Sequence, residues 1–269
     1  MLNTLRSAFL VAIVAMAVHA AVAGSTGGSI VLGKLAAQYR TPPHASTTIE
    51  GDVRFQVLTP GLVRMEYSPT AHFIDAPSVA VLKRNWASVP FQHRTNNGWL
   101  EIDTGKMKVR YRLGSGQFTR KNLEVSWHDE QGQHEWKPGD KDEKNLGGVR
   151  APDIAWRTQP GSEPGALSRN GYFLLDDSQT ALWDSATEWV IPRPEQNDQD
   201  WYFFVYSHNY KELLRELSQL LGPVPMVPRY ILGSWVGSRA GYSEDEWKMI
   251  ANRFREEHIP ADIIVLDSD

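Results

Sequence analysis

Apolar and polar residues alternate along most of the middle of the chain. In the segments 53–57, 63–67 and 107–111 every second residue is apolar, a period of two that is typical of half-buried strands. This pattern, repeated with short spacing between Gly51 and Tyr206, predicts an antiparallel β-sandwich. Turn sequences that permit positive φ separate the predicted strands; they are Asn96–Gly98, Gly114–Gly116 and Asp129–Gly132.

Two later segments are apolar on both alternating faces. Gly171–Leu175 and Trp201–Tyr206 therefore predict strands that are buried on two sides. Asp176 and Asp177 follow the first of these strands, where the chain leaves the sheet. Two interpretations of this pair stay open: the carboxylates reach into a neighbouring ligand cleft, or they accept backbone N–H bonds in a capped turn.

The hydrophobic period changes after the last of these strands. Asn209–Leu221 places its leucines on one helical stripe, and Gly222 is a typical C-terminal stop. Several prolines within Pro223–Pro228 then indicate a connector between domains. The sequence thus divides into an N-terminal β-sandwich domain with a linking helix, residues 24–222, and a second domain, residues 223–269.

The second domain has the order strand, helix, strand. Tyr230–Val236 is an apolar strand, and Ser243 with Glu246 forms the capping box of a helix. The apolar stripe of that helix, within Trp247–Phe254, is predicted to be buried. Ala261–Leu266 is a second apolar strand. Two strands joined by a helix are expected to be parallel with a right-handed crossover, as in the first βαβ of a (β/α)8 barrel.

Candidate site residues follow these two strands, at the carboxyl edge where α/β barrels bind substrates; they are Trp235, Ser238, Arg239, Asp267 and Asp269. The carboxylates of Asp267 and Asp269 allow three interpretations. They hold a divalent metal against a nucleotide-sugar diphosphate, they hydrogen-bond sugar hydroxyls or stabilise positive charge in glycoside hydrolysis, or they cap a turn without any ligand.

The first segment predicts a targeting signal. Arg6 is followed by an apolar run at residues 8–18 and by small residues that include Ala21 and Ala23, the order of a secretory signal peptide. The run is shorter than the about 20 apolar residues of a membrane span. Cleavage of residues 1–23 before Gly24 would give a periplasmic or secreted protein; a retained signal anchor is the alternative.

The composition excludes several classes of protein. The chain contains no cysteine, so disulfides, a thiol nucleophile and cysteine-ligated zinc are excluded. The net charge of −4, from 28 basic and 32 acidic residues, disfavours a nucleic-acid partner, which requires a basic face. The 10 tryptophans suit either sugar-binding platforms or a well-filled β core.

Segments along most of the chain resemble, in order, the N-terminal portion of glycoside hydrolase family 31, the α-glucosidase and α-xylosidase family. The similarity is most specific after the predicted domain boundary. The residues that carry it are Pro225–Trp235, Ser238–Arg239, Tyr242 and Ile259–Asp269, together with Gly171–Ser178, Tyr202–Phe204 and Tyr210–Lys211 upstream.

The resemblance implies a β-sandwich followed by a (β/α)8 barrel, and it implies roles for residues. Asp267 occupies the place of the family aspartate that binds hydroxyls of the sugar in the −1 subsite. Trp235 and Arg239 follow the first barrel strand, where side chains wall the pocket, although core packing is an equal alternative for Trp235. The loop with Asp176 and Asp177 matches one that leans toward the barrel mouth. The nucleophile and the acid/base of the family are aspartates on later strands, so both are expected beyond residue 269.

We therefore expect the N-terminal part of an exported retaining α-glycosidase, with oligosaccharides or glycosides, α-glucosides first, as substrates. Paired carboxylates need no cofactor and no metal for this hydrolysis. Two alternatives remain: a non-catalytic carbohydrate-binding protein, and a metal-dependent glycosyltransferase that uses Asp267 and Asp269. Neither a nucleic-acid partner nor a membrane partner is expected after signal cleavage, and the oligomeric state is not predicted.

Overall fold

The computed structural model describes residues 46–148, 164–184, 186–194, 197–223, 226–238 and 241–266. The chain divides into two compact units, of which the first ends at Gly222 and the second begins at Pro223. Most of the regular structure is β-strand, and helices are few. The predicted signal peptide lies outside the described residues. Within the described ranges, no helix is long and apolar enough to cross a membrane.

Five strands of the first unit form one antiparallel sheet: β1 (Thr47–Glu50), β2 (Val53–Thr59), β3 (Leu62–Tyr67), β9 (Tyr172–Asp176) and β12 (Gln199–Val205). Their order across the sheet is β1-β2-β3-β12-β9, and all neighbours are antiparallel. β12 is thus paired on both sides, whereas β9 lies at an edge. This position corrects the prediction that Gly171–Leu175 is buried on two sides, because within β9 only Tyr172 is buried.

The other five-stranded antiparallel sheet consists of β4 (Gln92–Asn96), β5 (Trp99–Asp103), β6 (Met107–Arg112), β7 (Leu123–Asp129) and β8 (Gly132–Trp136). These strands pair in chain order. The predicted turn between β4 and β5 is confirmed, since Asn97 and Gly98 have φ of 50° and 76°. Such left-handed values suit the two central residues of a type I′ hairpin turn.

One apolar cluster contains buried residues of both sheets. Successive side chains of a strand point to opposite faces, and alternate residues of both sheets enter the same cluster. Aromatic side chains fill much of it: Phe203 packs 4.7 Å from Trp136 and 5.6 Å from Tyr172, measured between ring centroids. Trp127 and Trp201 belong to the same cluster. These three tryptophans fit the well-filled β core among the two interpretations of the tryptophan content.

The opposite face of the first sheet is covered as well. Helix α1 (Tyr210–Leu221) packs Leu213 and Leu220 onto it, beside Phe204 and Tyr206. The helix begins as predicted, with the Asn209 side chain accepting a hydrogen bond from the Glu212 N–H at 3.2 Å. A short antiparallel hairpin, β10 (Leu182–Asp184) and β11 (Trp189–Ile191), completes the first unit.

The interpretation of β2 and β3 as half-buried strands is wrong. Their polar residues are buried together with their apolar ones: Arg54, Gln56, Arg64 and Glu66 are each at most 6% exposed. The reason is charge pairing on the second face, described below, which compensates the cost of removing these groups from water. Strand β6, in contrast, is half-buried as predicted.

The second unit contains two parallel strands, β13 (Trp235–Ser238) and β14 (Ile263–Leu266), and the helix α2 (Glu244–Glu256) between them. Parallel pairing is confirmed. The capping box of α2 is also confirmed: the Ser243 hydroxyl accepts from the Glu246 N–H, and the Glu246 carboxylate accepts from the Ser243 N–H at 2.7 Å. The apolar stripe of α2 is half-buried, not buried, among the described residues.

The first predicted strand of this unit is shorter than expected. Residues Arg229–Leu232 form a 3₁₀ helix, closed by the Ile231 N–H donating to the Pro228 carbonyl at 3.0 Å. Sequence reasoning extended the strand over residues 230–236 because the run is apolar. The run lacks a pairing partner in its first half, since β14 begins at Ile263, opposite Trp235.

Candidate functional site

The parallel pair of the second unit brings the carboxyl ends of two strands to one edge. Ser238 at the end of β13 lies opposite Leu266 at the end of β14, and Asp267 is the next residue of the sequence. Arg239, Asp267 and Asp269 lie outside the described residues, so their predicted roles stay predictions. The edge itself is the kind of place where α/β barrels bind substrates.

Trp235 and Ser238 are the two members of this predicted group that the structure describes, and Trp235 has the larger side chain. Its side chain is 56% exposed, and its indole N–H donates to the Ile231 carbonyl at 2.8 Å. Among the described residues it does not belong to an apolar core. An indole that is exposed to this extent, and whose N–H is already bonded, offers apolar surface to a ligand or to further protein.

Asp176 lies in a turn at the end of β9. Its carboxylate accepts the Ser178 N–H at 3.0 Å and the Ser178 hydroxyl, the geometry of the capped turn that was the second interpretation of this pair. The side chain is exposed. This hydrogen bonding occupies one carboxylate oxygen of Asp176 and fixes the course of the chain into Asp177.

Asp177, by contrast, is fully buried. Its carboxylate accepts the Ser78 hydroxyl at 2.8 Å and Nη2 of Arg193 at 2.8 Å, and Nη2 of Arg84 lies 3.5 Å away. Burial raises the pKa of Asp177, repulsion from Asp200 adds to the rise, and the two arginines offset part of it. The side chain therefore points into the protein, away from solvent, and ties two loops together.

Asp177 belongs to a larger layer of buried charge on the second face of the first sheet. Its members are Arg54, Arg64, Glu66, Arg84, Asp177, Arg193 and Asp200. Arg64 and Asp200 form the central pair, with Nε–Oδ1 and Nη2–Oδ2 distances of 2.8 Å. Such bidentate pairs are the strong form of a charged hydrogen bond. We call this group the buried ion layer.

The buried ion layer contains four arginines and three carboxylates, and the pKa values of Asp200 and Glu66 are shifted in opposite directions. Burial alone would raise the pKa of Asp200, but Arg64, Arg84 and Arg193 outweigh burial and hold it well below its usual range. Burial raises the pKa of Glu66 in spite of its contacts with Arg64 and Arg54. Glu66 and Asp200 are 3% and 2% exposed and Asp177 is fully buried, and all three are paired with arginine, so they are poor candidates for acid–base work on an external substrate.

Asp177 of the buried ion layer also binds the segment 77–84 through Ser78. Ser78 binds Asp177 through its hydroxyl, and the N–H groups of Leu82 and Lys83 donate to the Leu220 carbonyl at 3.2 and 3.1 Å. The segment 77–84 thus joins the Asp177 turn to the C-terminal end of α1, where several helix carbonyls lack helical partners. Gly222 follows with φ of 93°, a value that favours glycine.

Sequence reasoning missed the buried ion layer. Three of its members, Arg54, Arg64 and Glu66, occupy the polar positions of alternating strands, which are expected to face water in a half-buried strand. The signal that distinguishes them is the pairing of long charged side chains: Arg54 lies opposite Glu66 on the consecutive strands β2 and β3. Asp200 lies opposite Glu66 on β12, a strand that becomes a neighbour of β3 only in the fold.

A small open depression lies beside the buried ion layer, and Glu66 and Asp200 of the layer are among the residues that line it. Tyr67, His72 and Phe73 line one part of it, and Arg193 and Gln199 line another. In the part of the chain that the structure describes, no group of three or more histidine, aspartate or glutamate side chains is arranged to hold a metal ion. Asp267 and Asp269, the residues predicted for the metal-dependent alternative, lie outside that part of the chain.

Comparison with known proteins connects the second unit to a family. Residues 224–269 match the model of the glycosyl hydrolases family 31 TIM-barrel domain. An α-xylosidase of Saccharolobus solfataricus is 32% identical over 112 residues, and the α-xylosidase XylQ of Lactiplantibacillus pentosus is 28% identical over 109 residues. Each alignment covers 39% of this chain and 14% of the relative, so the chain spans a small part of these proteins.

Solved structures of family 31 enzymes have a fold similar to that of this chain. A family 31 α-xylosidase from a soil metagenome, solved in complex with xylose, is similar with a TM-score of 0.50 and 14% sequence identity. The match covers 82% of this chain and 40% of that structure. At this level of identity the similarity concerns the fold alone.

Proposed function

Because the chain belongs to glycoside hydrolase family 31, we propose that it is the N-terminal part of an exported retaining α-glycosidase. The observation that carries the proposal is the family match over residues 224–269, which coincides with β13, α2 and β14 and ends on Asp267 and Asp269. The substrates would be oligosaccharides or glycosides with a terminal α-linked sugar.

The proposed architecture is an antiparallel β-sandwich, formed by the two sheets of the first unit, followed by the first βαβ of a (β/α)8 barrel. Shared burial of alternate residues from both sheets supports the first half. Parallel pairing of β13 with β14 across α2 supports the second half. The barrel would continue with strands outside this chain.

Asp267 is proposed to accept hydrogen bonds from sugar hydroxyls at the carboxyl edge of the barrel, with Arg239, Trp235 and Asp269 nearby. A retaining reaction needs two carboxyl groups about 5–5.5 Å apart. One attacks the anomeric carbon and forms a glycosyl-enzyme, while the other protonates the departing oxygen and then takes a proton from water. The family resemblance implies that both groups are aspartates on later barrel strands; the buried carboxylates of the first unit are paired with arginine and are poor candidates for either role.

α-Glucosides and α-xylosides are the two candidate substrates. The family resemblance favours α-glucosides, and the names of two relatives, both α-xylosidases, favour α-xylosides. The two sugars differ by one hydroxymethyl group, a difference that a binding pocket discriminates by roughly 1–3 kcal/mol. No cofactor and no metal are proposed for the hydrolysis.

Export is proposed on the signal sequence of residues 1–23. N-terminal sequencing of protein recovered outside the cytoplasm should start at Gly24. Recovery of an intact Met1 in the membrane fraction would refute cleavage and support the signal anchor.

The catalytic proposal is tested on the protein in its full natural length, expressed from its complete reading frame. We expect it to hydrolyse the nitrophenyl α-glycoside of glucose or xylose and to leave the matching β-glycoside intact. The α-anomer should form first, as proton NMR of the fresh product reports, because a retaining enzyme inverts twice. A folded protein that binds sugars but hydrolyses none of the α-glycosides would favour the carbohydrate-binding alternative.

A further inference from the structure

We propose that Asp262 is a positioning residue that sets the register of β13 against β14, and with it the place of Asp267 relative to the first barrel strand. This inference rests on the proposed function, since it assigns Asp267 to sugar binding. Asp262 precedes β14, whereas Asp267 follows it. The four residues between them span roughly 13 Å of extended chain, so Asp262 acts through the strand and not on the sugar.

The geometry that supports this role is a two-way clasp with Ser234. Oδ2 of Asp262 accepts the Ser234 N–H at 2.9 Å, and the Ser234 carbonyl accepts the N–H groups of Asp262 and Ile263 at 3.0 and 3.2 Å. The side chain and the backbone of Asp262, which precedes β14, thus both bind Ser234, which precedes β13. The clasp lies at the amino ends of both strands.

Gly233 gives a second, independent observation. A Cβ atom on Gly233 would overlap Oδ2 and Cγ of Asp262 and would lie 2.9 Å from its Cβ. The φ of Gly233 is −89°, which any residue adopts, so glycine is needed there for space and not for backbone conformation. The Asp262 carboxylate therefore sits flat against the backbone that enters β13.

The clasp has a direct consequence for the carboxyl edge. From it the register runs through Trp235 opposite Ile263 to Ser238 opposite Leu266. A slip of one residue would turn every side chain of one strand to the other face. Both strands are only four residues long, so a constraint at their amino ends bears on the whole pairing. The clasp is such a constraint, and we infer that it acts through the register on the place of Asp267.

Variants of Asp262 in the full-length enzyme test the inference. Asp262→Ala removes the acceptor, and Asp262→Glu keeps the charge but pushes the carboxylate into Gly233. We expect both to lower kcat/KM by about tenfold to a hundredfold, since a misplacement of about 1 Å can cost this much. Asp262→Asn keeps an oxygen that accepts the Ser234 N–H and should stay close to wild type. Asp245→Ala, at a 96% exposed carboxylate of α2, is the control.

A role of the charge alone predicts the reverse order, with an active Asp262→Glu and an impaired Asp262→Asn, and that result would overturn the inference. Wild-type kcat/KM in Asp262→Ala would overturn it as well. Gly233→Ala should also lower kcat/KM. In the double variant Gly233→Ala, Asp262→Ala the carboxylate that the new Cβ would overlap is gone, so its kcat/KM should be no lower than that of the less active single variant. Full additivity of the two losses would contradict the clasp.

A readout that does not depend on catalysis separates this inference from the proposed function. Hydrogen exchange of the peptide that contains Ser234 should be faster in Asp262→Ala than in wild type and unchanged in Asp262→Asn. If wild type hydrolyses no α-glycoside, the proposed function fails, and the exchange rates still decide the clasp. Equal exchange in wild type and Asp262→Ala would refute the clasp even in an active enzyme.

Discussion

The two units hold their elements in place by different means, as their helices illustrate. Helix α1 of the first unit buries Leu213, Glu216 and Leu220. Helix α2 of the second unit buries none of its residues within the described structure. It is stabilised instead by interactions near its own ends. These are the capping box at Ser243, acidic side chains in the first turn, and Arg253 and Arg255 in the last turn, which interact favourably with the helix dipole.

The difference indicates what a substitution should change in each unit. In the first unit, side chains are held by burial and by the buried ion layer, so a substitution should appear first as a loss of folding free energy. In the second unit, the described side chains are exposed or half-buried, and hydrogen bonds such as the capping box at Ser243 and the contact of Asp262 with Ser234 position the chain. There, a substitution should change the geometry of the carboxyl edge more than global stability.

Asp200→Ala should give the largest loss of stability. Asp200 is 2% exposed and bonds Arg64 in two places, so its removal leaves a buried guanidinium without its main counter-ion. Breaking a buried pair in this way costs about 3–5 kcal/mol, measured as the free energy of unfolding in urea. The control Glu257→Ala removes an exposed pair with Arg253 in the second unit and should change the same quantity by less than its error. A loss below that of the control would show that the buried ion layer is dispensable.

Leu213→Ala should follow. Leu213 is a residue of α1 whose side chain is fully buried, and removing a buried leucine side chain costs about 2–5 kcal/mol of folding free energy. Leu214→Ala, one residue along the same helix and 47% exposed, and Met249→Ala on α2, 64% exposed, are matched controls that should have little effect. A large loss at Met249 would contradict the contrast between the helices.

Ser243→Ala should have an intermediate effect that is confined to the second unit. It removes the hydroxyl acceptor of the capping box, which is worth about 0.5–2 kcal/mol to a helix. Because α2 lacks buried side chains, we expect faster hydrogen exchange along its first turns. Asn209→Ala removes the corresponding cap of α1, but packing should keep that helix protected. Equal fraying of both helices would remove the distinction.

The smallest effect concerns pH. Burial raises the pKa of Asp177 above its usual 3.8, so its contribution to stability is present at low pH and declines as the pH rises through the raised value. The pKa of Asp200 is lowered by its arginines despite burial, so its contribution is present above 3.8 and is lost as the pH falls through the lowered value.

Asp177→Asn should therefore flatten the decline in stability above the usual carboxyl pKa and leave the acid-side loss unchanged. Urea unfolding of both proteins at several values between about pH 3 and 7 measures the two slopes. Some decline should remain, because burial also raises the pKa of Glu66. Identical pH profiles for wild type and Asp177→Asn would show that Asp177 titrates as in the unfolded chain.

Local patterns predicted the local structure. The capping box at Ser243, the helix after Asn209 and the turn at Asn97 depend on neighbours in the sequence, and all three are confirmed. Burial of Arg64 was not predictable, because its partner Asp200 is 136 residues away. The same holds for the edge position of β9. Arg239, Asp267 and Asp269 stay predictions of the family resemblance.

Asp267→Ala, compared with Asp200→Ala in the full-length protein, tests the proposed division of roles most directly. Loss of charge-assisted hydrogen bonds to the sugar should lower kcat/KM of Asp267→Ala by about 10²–10⁴-fold. Its free energy of unfolding should stay within about 0.5 kcal/mol of wild type, whereas Asp200→Ala should lose stability. An Asp267→Ala enzyme with unchanged kcat/KM and about 1 kcal/mol less stability would identify a turn cap. That result would contradict sugar binding by Asp267.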